Sequence, residues 1–187
     1  ASGALTASGT MAVCRRLDIP MAITCGMGGI GDLRGEELCP DLPALMNIPV
    51  ALISTSPKDM LDRPATLDWL RRHGVHTAGE PCTGYLFCGE PVALELPLSS
   101  CNNEAAVRRL TANGGLLLLN PIPEKERVQD RSILVDAIKA GKQAEAEGHY
   151  YHPAANGEID RRTGGYSSRI QLESIQQNYL LAKSIMD

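Results

Sequence analysis

The chain has 187 residues, enough for one domain, and at that size folding buries about 70% of the surface an unfolded chain exposes. Its 43% hydrophobic and 21% charged residues, with 18 glycines and 12 prolines, exclude disorder, collagen and coiled coil. With 18 basic against 22 acidic side chains the formal charge is −4, the wrong sign for a general binder of nucleic acid or acidic membrane, so any phosphate must be held locally.

The longest apolar runs, such as Leu116 to Leu119, fall far short of the roughly 18 residues of a membrane span. Cys14, Cys25, Cys39, Cys82, Cys88 and Cys101 form no CxxC pair and lack the density of a disulfide-stapled module, so they read as reduced thiols in a cytoplasm. Cys82 and Cys88 have no matching histidine or cysteine pair for zinc. No signal-peptide pattern marks Ala1 to Ala7, and no internal period implies a solenoid. A single domain over residues 1–187 is expected.

In chain order, Ala7, Met11, Cys14 and Leu17 fall on one face of a helix from about Thr6 to Leu17, ended by Asp18-Ile19-Pro20. Met21 to Thr24 reads as a buried strand, and the cluster from Gly26 to Gly31 as a loop. Asp41 to Met46 fits a short helix, and Pro49 to Ser54 a continuous apolar strand emptying into Thr55-Ser56-Pro57-Lys58. A helix capped by Thr66 runs to Arg72 and stops at Gly74, and Val75-His76-Thr77 returns as a strand. Asn102 or Asn103 caps a helix through Leu110, and the buried strand Leu116 to Leu119 leads to Asn120-Pro121-Ile122-Pro123-Glu124. A long helix follows over 132–147, and a last one sets Leu172, Ile175, Tyr179, Ala182 and Met186 on one face. His149 and His152 fall in an expected loop, and neither they nor His73 and His76 are spaced as a metal pair. The stretch 80–100 is too punctuated by proline and glycine to assign.

Strands of this length alternating with helices predict an α/β fold, a mostly parallel sheet flanked by helices in α-β-α layers. In such sheets the ligand crevice lies beyond the carboxyl ends of the strands. The glycine loop, the Ser-Pro-Lys turn and the Asn-Pro-Ile-Pro-Glu turn should therefore converge. Taken singly, the glycines fit a tight turn, and Lys58, flanked by Asp59 and Asp62, fits a solvated ion pair.

Several segments occur together and in order: Gly3 to Thr6 with Thr10-Met11, Gly28-Gly29-Ile30-Gly31 with Arg34-Gly35, and Ser56-Pro57-Lys58-Asp59-Met60-Leu61-Asp62. Thr66 to Leu70, Asn120 to Glu124, Thr163-Gly164-Gly165 and Ile170-Gln171-Leu172 follow. Together they resemble the pseudouridine-5′-phosphate glycosidase family, also called indigoidine synthase A-like, over nearly the whole chain.

The resemblance implies that Lys58 is the nucleophile of a carbon–carbon glycosidic cleavage, and an amine attacks only when neutral. The ribose opens as the lysine bonds to C1′, and the resulting amine, by becoming an iminium, lets uracil leave after protonation at its C5. Water then releases ribose 5-phosphate; reversal makes a C-nucleoside. The resemblance further implies a divalent cation, typically manganese, with Asp41 as the surviving matching ligand, and Glu36 and Glu37 are candidate substitutes. Asp41 equally fits an N-cap. Thr6 and Ala7 match a phosphate-binding helix start or are a plain cap, Gly28, Gly29 and Asn120 line the substrate site, and Asn178 matches a family asparagine or is a buried polar contact. Arg169 stands where the family has the asparagine that reads uracil, and arginine supplies donors only.

Two family residues that the resemblance places ahead of Gly3, a glutamate acting as general acid and a lysine on the substrate, have no counterpart. Family members are usually homotrimers, so a homo-oligomer is expected, or a complex with a separate N-terminal segment or subunit. The sequence thus predicts an enzyme acting on a sugar phosphate or nucleotide, without nucleic-acid or membrane partners. The alternative is a non-catalytic or diverged homologue that binds a different sugar phosphate or C-glycoside.

Overall fold

The computed structural model describes residues 5–31, 39–112 and 114–187. Helix α1 (Ala7–Arg16) opens on Thr6, whose Oγ1 accepts the Gly9 N–H at 3.1 Å. It leads to strands β1 (Met21–Ile23) and β2 (Gly26–Met27). Next come α2 (Asp41–Asn47), β3 (Ala51–Ser54), β4 (Ser56–Pro57), α3 (Arg63–Arg72) and β5 (His76–Gly79). Then follow α4 (Glu104–Thr111), β6 (Leu116–Leu119), α5 (Ser132–Ala146), α6 (Tyr151–Arg162) and α7 (Tyr166–Met186). The main sheet has the order β1-β3-β6-β5 and every pairing in it is parallel. A second parallel pair, β2 and β4, prolongs β1 and β3 past their breaks.

Strand side chains alternate between two cores, as a sheet covered on both faces requires. Ala22, Leu52, Leu117 and Leu119 pack with Met11 and Cys14 of α1, Leu42 and Leu45 of α2, and Leu67 and Leu70 of α3. Met21, Ala51, Ile53, Leu116 and Leu118 pack with Val107 of α4 and Ile185 of α7. A third core sits beyond the strand ends, where Leu86, Phe87 and Ile122 meet α5, α6 and the first turns of α7. The layered α/β architecture is the one the alternation of elements predicts.

Four local expectations need correction. The α3 cap is Asp62, not Thr66: Asp62 Oδ1 accepts the Ala65 N–H at 2.9 Å, and Pro64 occupies the first turn, where its missing N–H costs nothing. The glycine cluster is not wholly loop, because Gly26 and Met27 pair with Ser56 and Pro57. The region of His152 is helix α6, although Pro153 and Gly157 dilute its pattern. Finally, α7 buries Ser167, Ile170, Ser174, Asn178 and Ile185, while Leu172 is 69% and Tyr179 55% exposed. The reason is position: the middle of α7 passes the strand ends, where backbone groups need polar partners more than apolar cover.

Among the described residues no helix is long and apolar enough to cross a membrane. None of the six cysteines, all of them described, forms a disulfide.

Candidate active site at the strand ends

The site is built where β1 and β3 break. Thr24 N–H donates to Ile53 O at 2.9 Å, Thr55 N–H to Cys25 O at 2.8 Å, and Ser54 Oγ to the same carbonyl at 2.9 Å, so the ladder holds through the breaks. Lys58 follows β4, and its N–H donates to Met27 O at 3.2 Å. The half-buried Lys58 lies against Gly26: a Cβ there would stand 3.2 Å from Lys58 Cγ and 2.8 Å from the Tyr85 ring. Only a glycine lets stem and ring approach that closely.

The carboxylates flanking Lys58 are engaged elsewhere. Asp59 accepts backbone N–H groups of Tyr85, Leu86 and Phe87, and Asp62 caps α3. Among the described residues Lys58 forms no carboxylate ion pair, unlike Arg71 or Arg108 on exposed helix faces. Cys25 lies beside it: burial pushes the Cys25 thiol up, while Ser174, Tyr85 and the nearby Lys58 charge pull it back. Tyr85 is 3% exposed, its hydroxyl donates to Gln171 Oε1 at 3.0 Å, and burial raises its phenol well above the ordinary value.

A second group joins three of the sequence candidates. Asp41, 7% exposed, does not cap its own helix. Its Oδ1 accepts the Ser8 N–H at 3.0 Å and its Oδ2 the Gly28 N–H at 2.9 Å. The start of α1, next to Thr6 and Ala7, is thereby tied to the glycine loop, and the positive end of the helix already faces an anion. Gly28 admits no side chain, because a Cβ would collide with Cys39 Sγ, and one at Gly29 would come within 2.6 Å of Thr66 Oγ1.

A third group closes the strand ends. Asn178 is fully buried; its Nδ2 donates to Thr24 O at 2.7 Å and Thr55 Oγ1 at 3.3 Å, and its Oδ1 accepts Asn120 Nδ2 at 2.9 Å. Asn120 N–H in turn donates to Ser54 O at 2.9 Å. One side chain from α7 thus fastens β1, β3 and the segment after β6. Beyond Asn120 a cleft of about 440 Å³ opens between the Asn-Pro-Ile-Pro-Glu turn and α7, lined among others by Ile122, Ile170, Glu173 and Ser174. Arg169, 65% exposed, lies at the rim of this cleft, 4.9 Å over the Tyr166 ring and 3.9 Å from Glu173.

Glu36 and Glu37 lie outside the described residues. Among those described, no group of three or more histidine, cysteine, aspartate or glutamate side chains could hold a metal, and both Asp41 oxygens already accept backbone N–H groups. The described donors by themselves do not make a manganese site, so no chemical step is routed through one. Asp59 and Tyr85 were not identifiable as site residues from sequence. The available signals were an aspartate four residues before Arg63 and the Gly84 and Gly89 that bracket the Tyr85 loop.

A family model described as indigoidine synthase A like protein matches residues 1–186. The pseudouridine-5′-phosphate glycosidases of Geobacillus kaustophilus, Escherichia coli and Saccharopolyspora erythraea are 26%, 29% and 30% identical to it. The alignments cover 98%, 98% and 99% of this chain but 65%, 63% and 65% of the relatives, so the chain spans less than two thirds of their length. The crystal structure of a prealnumycin C-glycosynthase in complex with ribulose 5-phosphate superposes with a TM-score of 0.73 at 25% identity, over 97% of this chain and 62% of that one. An indigoidine synthase A-like protein from Thermotoga maritima, 21% identical, shares the fold with a TM-score of 0.72 over 96% of this chain and 63% of its own. With strands, glycine loop and lysine turn in place along the full match, the chain belongs to the indigoidine synthase A-like family.

Proposed function

We propose that this chain carries the nucleophile of an enzyme that cleaves or forms the carbon–carbon glycosidic bond of pseudouridine 5′-phosphate. The observation that carries the reading is Lys58 at the carboxyl end of a parallel strand pair, half-buried, with both neighbouring carboxylates tied to other groups. An amine not held by its neighbouring carboxylates can turn to a bound carbon electrophile once it is uncharged.

In the cleavage direction Lys58 Nζ bonds to C1′ as the C1′–O4′ bond breaks and O4′ takes a proton. A proton then adds at uracil C5, the C1′–C5 electron pair leaves with the base, and the nitrogen lone pair forms the C=N bond. Water adds to that iminium and returns the amine with free ribose 5-phosphate. Asn178, Asn120 and the ladder through Cys25 hold the three strand ends in fixed relation, which keeps the lysine aimed.

The test is uracil release from pseudouridine 5′-phosphate by the natural full-length product and its Lys58→Ala variant. Release is expected from the parent and a loss of about a thousandfold or more from the variant. No release by the parent overturns the substrate, and an unchanged rate in the variant overturns the nucleophile. The exposed position of Arg169 favours a second reading, a C-glycoside with another aglycone; the same assay with other C-nucleoside 5′-phosphates separates the two.

A further inference from the structure

The carboxylate next to Lys58 serves a loop that is distant in sequence. Asp59 Oδ1 accepts the Tyr85 N–H at 2.9 Å, and Oδ2 accepts those of Leu86 and Phe87 at 2.7 and 3.2 Å. Three successive amides turned on one carboxylate make a nest, a geometry that otherwise receives free anions. The Asp59 side chain is 5% exposed, and Arg63, one helical turn on, brings its guanidinium to 3.9 Å. Arg63 also lies against both glycines of the loop. A Cβ at Gly84 would stand 2.7 Å from Nη1, and one at Gly89 would collide with Nη2. At Gly84 φ is +126°, a conformation that side chains disfavour.

The loop that this clamp fixes is the one that brings Tyr85 to Gly26, next to the stem of the lysine. Leu86 and Phe87 sink into the third core at 3% and 1% exposure, and Leu86 O accepts the Val128 N–H at 2.8 Å. That leaves Tyr85 turned the other way, its ring on Gly26 beside the Lys58 stem and its hydroxyl on Gln171 of α7. The turn bearing the lysine and the Tyr85 loop are therefore joined by the residue adjacent to the lysine.

We infer that Asp59 is a positioning residue: it fastens residues 84–89 so that Tyr85 roofs Gly26 and the stem of Lys58, narrowing the directions from which the amine is approached. The inference rests on the Lys58 reading above, and it assigns Asp59 no contact with substrate.

The experiment compares the parent, Asp59→Asn, Tyr85→Ala and Asn103→Ala, the last losing the cap of α4 and an exposed bond to Asn102 as a control for stability. Amide hydrogen exchange is followed across 84–89, and borohydride trapping with ribose 5-phosphate is read per folded molecule. Asparagine turns one acceptor of the nest into a donor, so Asp59→Asn is expected to speed exchange in 84–89 by roughly tenfold or more while the β3 and β6 amides stay protected. Trapping on Lys58 is expected to fall several-fold in both Asp59→Asn and Tyr85→Ala, and to match the parent in Asn103→Ala. A loosened loop with parental trapping, or no loosening, overturns the inference. If Asp59→Asn does not fold, Tyr85→Ala, which leaves the nest intact, decides on trapping alone. Absence of an adduct in the parent overturns the Lys58 reading itself and with it the purpose of the clamp.

Discussion

Asn178 offers the sharpest test of how the strand ends are held. Replacing it by alanine removes two short hydrogen bonds, to Thr24 O at 2.7 Å and from Asn120 Nδ2 at 2.9 Å, and a longer one to Thr55 Oγ1 at 3.3 Å. Each buried group left without its partner costs about 1–3 kcal/mol. With the long bond counted at the low end and a small term for the vacated volume, the loss is about 4 kcal/mol. For a domain of this size that lowers Tm by roughly 8–16 °C. Asn178→Asp keeps the acceptor for Asn120 but sets an oxygen against the Thr24 carbonyl, so it is expected to be at least as damaging. Asn120→Ala loses a single side-chain bond and is expected to cost about 1 kcal/mol. Urea unfolding of the three variants measures the order. An Asn178→Ala variant within about 1 kcal/mol of the parent would refute the account of Asn178 as a fastener, whatever its effect on substrate.

Other consequences are as direct. Gly28→Ala drives a Cβ into Cys39 Sγ and to 3.2 Å from Asp41 Oδ2, and is expected to destabilise by roughly 2 kcal/mol or more in thermal melts. Gly157→Ala, inside α6 with nothing within 4 Å, is expected to stabilise by about 0.5–1 kcal/mol. Asp41→Ala strips the acceptors of Ser8 and Gly28 and is expected to cost about 2–4 kcal/mol and to raise proteolysis before Gly28. Burial pushes the Cys101 thiol up to about 11 from an ordinary value of 9.0, so native protein should resist alkylation there at pH 8. Because the folded state keeps that proton where the unfolded chain releases it, the Cys101 contribution to stability should fall as pH rises from about 9 to 11.

Much of this fold is legible in local pattern. Ala51 to Ser54 and Leu116 to Leu119 are wholly buried central strands and read as unbroken apolar runs, and α1 and α5 carry plain helical spacing. The inward face of α7 is not legible, because Ser174 and Asn178 face inward for hydrogen bonding, and periodicity of hydrophobicity reports only apolar burial. In the same way α6 is hidden by Pro153, Asn156 and Gly157, and its helix is stabilised by packing of Tyr151, Ala155 and Ile159 rather than by propensity.

The site divides along the same line. Lys58 is legible through the family resemblance of its segment, since taken singly a lysine between Asp59 and Asp62 fits a solvated ion pair, and the apolar strand before it is compatible with either role. Asp59 does not, because its partners are backbone amides 26 to 28 residues away, which have no side-chain signature. Asp41 is legible as a residue of the site, but its two bonds to backbone amides are a property of how α1 and the glycine loop meet.

The central claim is that Lys58 forms an imine with the opened sugar phosphate, and reductive trapping tests it most directly. With ribose 5-phosphate and borohydride, the natural full-length product is expected to gain the mass of one sugar phosphate less one oxygen atom, on the peptide that carries Lys58 and on no other. An unmodified Lys58 peptide, or an adduct that persists in Lys58→Ala, would contradict it.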